Sequence, residues 1–146
     1  HVFVGFDNLE ARRTEIRQGY LTAPDDSVQI RLRQSGNRYV LTLKTGAGLV
    51  RGERETTISA EQFETFWPET VGRRVEKHRW SGGLESGDRF ELDVFAEALA
   101  PLRLVEVEFS TVAQAKAFVV PEWFGAEVTD DLRYSNRMLA VHGRPD

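Results

Sequence analysis

Short stretches of alternating apolar and polar residues, separated by turn residues, recur along most of this chain. Successive side chains of a β-strand point to opposite faces, so this pattern specifies half-buried strands. The clearest runs are Val28 to Gln34, Arg38 to Thr45, Val50 to Ile58, Arg74 to Trp80, Arg89 to Phe95 and Arg103 to Ser110. Pro24-Asp25-Asp26-Ser27, Gly46-Ala47-Gly48 and Ser81-Gly82-Gly83 punctuate them. Loops of hairpin length favour an antiparallel meander over parallel units with helical crossovers. Three stretches read as helices. Ser59 with Gln62 forms a capping box for one that Pro68 closes, and Thr111 with Gln114 opens an Ala-rich one that ends before Pro121. Asp130 is expected to cap a last helix with Leu132, Met138 and Leu139 on one side. The fold class is α+β with a dominant antiparallel sheet.

At 146 residues and 40% hydrophobic, residues 1–146 suit one domain around one core. Lys plus Arg number 19 against 23 Asp plus Glu, a net of −4, which speaks against a general nucleic-acid binder. A cleft can still be basic inside an acidic protein. The absence of cysteine excludes disulfides and thiolate metal sites. No segment approaches the roughly 20 apolar residues of a membrane span, and no signal peptide is visible. The expectation is a cytoplasmic protein with no membrane or nucleic-acid partner; oligomeric state is left open.

The polar side of the strands carries the chemistry. Arg31 and Arg33 share a face with Gln29, opposite Val28, Ile30 and Leu32; Lys44 shares one with Arg38 and Thr42; Lys77 pairs with Arg79. Three other strands are acidic in the same spacing: Glu53 with Glu55, Glu91 with Asp93, and Glu106 with Glu108, the last alternating with Val105, Val107 and Phe109. A solvated outer face with cross-strand ion pairs accounts for each strand taken singly. The recurrence of same-sign doublets suggests instead an inward polar face, where cations hold phosphate oxygens and carboxylates hold Mg2+ or Mn2+. Composition alone does not orient the face, and both readings stand at this point.

The motifs themselves resemble a known family. Arg17-Gln18-Gly19-Tyr20-Leu21, Ile30-Arg31-Leu32-Arg33, Leu41-Thr42-Leu43-Lys44 and Arg51-Gly52-Glu53-Arg54-Glu55 stand in the order seen in bacterial CYTH proteins. They are followed by Glu76-Lys77-His78-Arg79-Trp80, Glu91-Leu92-Asp93-Val94-Phe95, Val105-Glu106-Val107-Glu108-Phe109, the tail Trp123-Phe124-Gly125-Ala126-Glu127-Val128-Thr129, and Arg133-Tyr134-Ser135-Asn136. From about Ile16 to Ala140 the chain is similar to the small inorganic triphosphatases of the triphosphate tunnel metalloenzyme group.

That resemblance implies an eight-stranded antiparallel barrel, a tunnel holding a divalent metal and a linear triphosphate. It implies Arg31, Arg33, Lys44, Arg79 and Arg133 as substrate-binding residues, with Arg133 leaning over the tunnel mouth. It implies Glu106, Glu108 and Asp93 as metal ligands, with Glu53 and Glu55 on the metal or water side. Tyr20 and Lys77 are implied to act together in catalysis. The expected activity is metal-dependent hydrolysis of tripolyphosphate to pyrophosphate and phosphate. The alternatives are thiamine or nucleoside triphosphate hydrolysis, and polyphosphate or nucleotide binding without turnover. A lipocalin-like carrier needs an apolar interior, which inward Arg and Glu doublets oppose. One departure is evident: the family's Glu-x-Glu-x-Lys is not found here, and its Lys is expected to fall just before His1. The first strand is then expected to be truncated, with Val2-Phe3-Val4 as its remainder. His78 alternates with Lys77 and Arg79 and is expected on the opposite face; the terminal His1 and His142 have no partner motif.

Overall fold

Strands β1 (Ala11–Tyr20), β2 (Val28–Ser35), β3 (Arg38–Ala47), β4 (Val50–Ile58), β5 (Arg74–Gly83), β6 (Arg89–Phe95) and β7 (Arg103–Glu108) form one antiparallel sheet. Their order is β4-β3-β2-β1-β5-β6-β7. The structure, a computed structural model, describes residues 11–47, 50–84 and 86–145. The sequence runs correspond to β2 to β7, with β4 and β6 matching end to end. Among the described residues the sheet has seven strands and is open between β4 and β7, rather than an eight-stranded closed barrel. Val2-Phe3-Val4, expected as the remains of a first strand, lies outside the described residues. The strand that does occupy the centre, β1, was not among the expected runs.

Its position follows from pairing. β1 hydrogen-bonds to β2 on one side, with Gln18 opposite Arg33, and to β5 on the other, with Gln18 opposite Val75. Gly19 is required there. A Cβ on it would lie 2.7 Å from the Thr70 Cβ. The Thr70 hydroxyl is itself fixed, donating to the Trp67 carbonyl at 2.6 Å and accepting from Arg74 Nε at 2.7 Å.

The two faces differ sharply. On the outer face, helix α1 (Ala60–Phe66) and the 3-10 turn Trp67–Thr70 cover β2 to β4, burying Phe63 and Trp67 against Leu32, Leu41 and Ile58. Ser59 and Gln62 form the expected capping box. Arg17 fastens this layer: its guanidinium lies 4.8 Å from the Phe63 ring and 5.2 Å from Trp67, pairs with Glu64 and donates to Gln34. The other half of the outer face carries Phe90, Leu92 and Val105, covered by Phe118, Trp123 and Phe124 downstream of α2 (Val112–Ala117). His78 faces this side against Arg13, as alternation predicts.

At one end of the opposite face, α3 (Asn136–His142) packs Leu139 and Ala140 against Tyr20, Val75, Phe95 and Leu104. Full burial of side chains such as Leu139 stabilises the contact by about 1.5–3 kcal/mol each. The cap of α3 is Ser135, not Asp130: the Ser135 hydroxyl accepts from Met138 N, while Asp131 caps a separate 3-10 turn, Leu132–Tyr134. Leu132 is consequently exposed rather than aligned with Leu139. Among the described residues, no helix is long and apolar enough to cross a membrane.

Candidate functional site

Directly opposed residues of antiparallel strands share a face, and the register therefore decides which charges meet. Glu55 stands opposite Thr42, Thr42 opposite Arg31, and Arg31 opposite Tyr20. Glu53 is opposite Lys44, which is opposite Gln29. Arg33 pairs with Gln18, Lys77 with Ile16, Arg79 with Asp93, Glu91 with Glu106, and Arg89 with Glu108. Every strand residue proposed from the sequence thus lies on one face, the face that α3 plugs at one end.

Its buried centre is an ion-pair cluster. Lys77 Nζ donates to Asp93 Oδ2 at 2.7 Å and to Asn136 Oδ1 on α3 at 3.2 Å. Arg79 grips the same carboxylate through Nε at 2.8 Å and Nη2 at 3.0 Å, and reaches Glu91 through Nη1 at 3.0 Å. Burial pushes the Lys77 ammonium below its ordinary value; Asp93 opposes that, while Arg79 and Arg33 add to it. Burial acts to raise Asp93, but the Arg79 hydrogen bonds and the Lys77 charge outweigh it and hold the carboxylate low. Burial acts to lower Arg79, but Asp93, Glu91 and Glu106 outweigh it and hold the guanidinium above its usual value. Both oxygens of Asp93 are therefore engaged by cations, which is not how a metal ligand is expected to stand.

Beside this cluster, Arg31, Arg33 and Lys44 line a cleft of about 690 Å³ with Gln18, Tyr20 and Glu53. Arg33 Nη1 donates to Gln18 Oε1 at 2.9 Å, and Gln18 Nε2 lies 3.0 Å from the Tyr20 hydroxyl. Burial, then the charges of Arg79 and Arg31, depress Arg33. Arg31 Nε is buried with no hydrogen-bond partner. Leaving such a donor unsatisfied costs about 1–3 kcal/mol.

The acidic border is β7. Glu106 faces Glu91 across the β6–β7 pair, and Glu108 lies two residues further on the same face. Both are exposed, and among the described residues neither side chain joins an ion pair. Like charges directly opposite destabilise a sheet, and Arg79, 3.0 Å from Glu91 and attracted also by Glu106, offsets part of that repulsion. Carboxylate oxygens suit Mg2+ or Mn2+, and Mg2+ is commonly held by one or two carboxylates plus substrate phosphates and water. Among the described residues, no three acidic or histidine side chains converge as a cage. Glu53 and Glu55 lie on β4, far across the sheet order from β7; Glu55 accepts from the Thr42 hydroxyl at 3.3 Å.

Arg133 is placed elsewhere. It sits on the Leu132–Tyr134 turn, exposed, with Nη2 2.6 Å from Asp131 Oδ2, and it does not line the cleft. Asn136 and Arg137 of α3 take that place, and Arg137 also donates to the Pro24 carbonyl at 2.8 Å. Neither, nor Gln18, was singled out by charge sorting. The Ser135 cap was the available signal, since it fixes which residues begin the helix.

Fold and face together define a class: antiparallel sheet proteins that present sorted cations and carboxylates on one face. Residues 3–115 match the CYTH domain. The chain is 55% identical over 136 residues to an inorganic triphosphatase of Nitrosomonas europaea, covering 93% of this chain and 90% of that protein. It is 32% identical over 125 residues to an inorganic triphosphatase of Acetivibrio thermocellus, covering 84% and 78%. A crystal structure of an inorganic triphosphatase, 51% identical, superposes with a TM-score of 0.89 over 96% of this chain and 90% of that one. The chain belongs to the CYTH family.

Proposed function

We propose that this chain hydrolyses inorganic tripolyphosphate, adding one water across a phosphoanhydride bond to give pyrophosphate and phosphate. The observation that carries the reading is the register, which gathers Arg31, Arg33, Lys44 and Arg79 on the same face of the sheet as the β7 carboxylates and leaves Arg31 Nε unsatisfied. The relatives named inorganic triphosphatase support it. The sheet serves in this reading as a tunnel wall that closes between its two edges, β4 and β7.

Arg31, Arg33, Lys44 and Arg79 bind the phosphoryl oxygens and offset the charge that opposes an approaching nucleophile. Glu106 and Glu108, with Glu91 beside them, are the residues suited to hold Mg2+ or Mn2+, which when bound supplies further charge neutralisation on the phosphates. Tyr20 and Lys77 are assigned to the proton of the attacking water. Burial brings Lys77 nearer the range in which an amine accepts a proton. Asp93 holds Lys77 and Arg79 in position rather than binding metal. Among the described residues, Tyr20 is the aromatic ring that lines the cleft, and it is buried.

The test is phosphate release from tripolyphosphate, ATP and thiamine triphosphate, each with Mg2+, Mn2+ or chelator. Tripolyphosphate is expected to be the preferred substrate, with turnover abolished by chelator and by the Glu106→Gln/Glu108→Gln double variant. Preference for ATP, or full turnover in chelator, refutes the reading. Tight binding of tripolyphosphate without release would make the chain a binding module.

A further inference from the structure

We propose that Gln18 is a positioning residue whose amide, oriented by Arg33, turns the Tyr20 hydroxyl outward as a hydrogen-bond donor to the cleft. Gln18 lies at the centre of the sheet and is 1% exposed. A guanidinium carries donors only, so the oxygen 2.9 Å from Arg33 Nη1 must be the amide carbonyl. The amide nitrogen then faces Tyr20, 3.0 Å away, and must donate to the phenolic oxygen. With that oxygen accepting, the Tyr20 hydrogen points away from Gln18. Tyr20 lines the same cleft as Arg31 and Arg33, so the hydrogen is offered to an anion held there.

Glutamine is the side chain that transmits this direction. A carboxylate at position 18 still accepts from Arg33 but also accepts from Tyr20, drawing the phenolic hydrogen inward. The inference rests on the reading that the cleft binds polyphosphate. It divides the labour: Tyr20 donates to a phosphoryl oxygen, and Lys77 remains as the group that receives the water's proton.

The experiment is a cycle of four proteins: the parent, Tyr20→Phe, Gln18→Glu and the double variant. Each is assayed for tripolyphosphate turnover and for tripolyphosphate affinity by calorimetry in chelator, and thermal melts confirm folding. In the parent, Tyr20→Phe is expected to weaken affinity roughly tenfold, the scale of one hydrogen bond to a charged group, with a larger loss in turnover. In the Gln18→Glu background the same substitution is expected to change either by no more than about twofold, because the donor is already withdrawn. Equal factors in both backgrounds overturn the proposal. If Gln18→Glu does not fold, Gln18→Met replaces it; there Tyr20→Phe is expected to cost less than in the parent, and an equal cost overturns the proposal. A parent that binds tripolyphosphate without cleaving it refutes the hydrolytic reading while the affinity cycle still decides this one. A parent that neither binds nor cleaves it overturns both.

Discussion

Replacing Asp93 by Asn removes one negative charge and almost no volume from the buried centre of the charged face. Asp93 is 4% exposed and faces Lys77 at 2.7 Å and Arg79 at 2.8 Å. At an effective dielectric near 20, each contact is worth about 6 kcal/mol of gross attraction, much of it offset by the several kcal/mol needed to desolvate each ion. Removing one partner from such a cluster leaves uncompensated buried cations and costs about 3–5 kcal/mol. At about 2–4 °C per kcal/mol for a chain near this size, the midpoint of thermal unfolding should fall on the order of 10 °C at pH 7. The acid limb follows from the direction of the shift. Asp93 is held below its unfolded value of 3.8, so its contribution is present above that value and is lost as pH falls through the lower folded value. The parent should therefore lose stability over that acid window by more than Asp93→Asn does. Calorimetric melts from pH 7 down to that window, with Mg2+ and with chelator, measure both effects. An unchanged midpoint at pH 7 refutes the ion-pair argument. A loss that appears only when Mg2+ is present makes Asp93 a metal ligand and refutes its assignment as an anchor.

Three further outcomes follow from other parts of the fold. Gly19→Ala forces a methyl against Thr70 and should destabilise by about 1–3 kcal/mol in urea unfolding; no change would mean that β1 shifts freely. Arg31→Lys keeps the charge but loses the planar fork and the unsatisfied Nε, so calorimetry should show tripolyphosphate affinity reduced by roughly tenfold. Unchanged affinity would place the phosphate elsewhere. Arg133→Ala should leave turnover and melting midpoint unchanged, because its pairing with Asp131 is solvent-exposed; a large loss of turnover would return it to the site.

The strands β2, β3, β6 and β7 were legible because each sets apolar outer residues, such as Leu32 or Leu92, against polar inner ones, whereas β4 and β5 were marked by the same-sign doublets Glu53/Glu55 and Lys77/Arg79. The cross-strand register, which the alternation does not specify, is what places the cations and carboxylates together on one face. β1 was not legible because it lacks that alternation. Its inner side is Thr14, Ile16, Gln18 and Tyr20, and its outer side includes Arg13, Arg17 and Gly19, so polarity does not alternate. Arg17 buries its stem and ring contacts on the face where an apolar residue is expected. Gln18 was visible only as part of the Arg17-Gln18-Gly19-Tyr20 motif, because it is neutral and its contact with Arg33 arises from the pairing of β1 with β2. The ion pairs of Asp93 were hidden because the Glu91-x-Asp93 doublet looks uniformly acidic, while among the described residues Asp93 pairs with both Lys77 and Arg79 and Glu91 with Arg79 alone. Arg133 and Arg137 are one helical turn apart in spacing, and only the Ser135 cap shows that the helix begins after the first of them.

The placement of β1 between β2 and β5 has a consequence for how the molecule assembles. β1 to β4 succeed one another as neighbours, and β5 to β7 do likewise, so both groups can form from nearby chain. The seam that unites them pairs Ala11 with Gly82 and Gly19 with Arg74, residues far apart in sequence, whose joining requires closing a long loop. Arg31 and Arg33 arrive on one side of that seam, Lys77 and Arg79 on the other. Zipping it therefore drives like charges together, and Asp93 relieves only the β5 side directly. On the function proposed above, a polyphosphate lying across β1 would act as an electrostatic clasp, adding counter-charge between the two sides of the seam and so coupling ligand occupancy to the joining of the two strand groups.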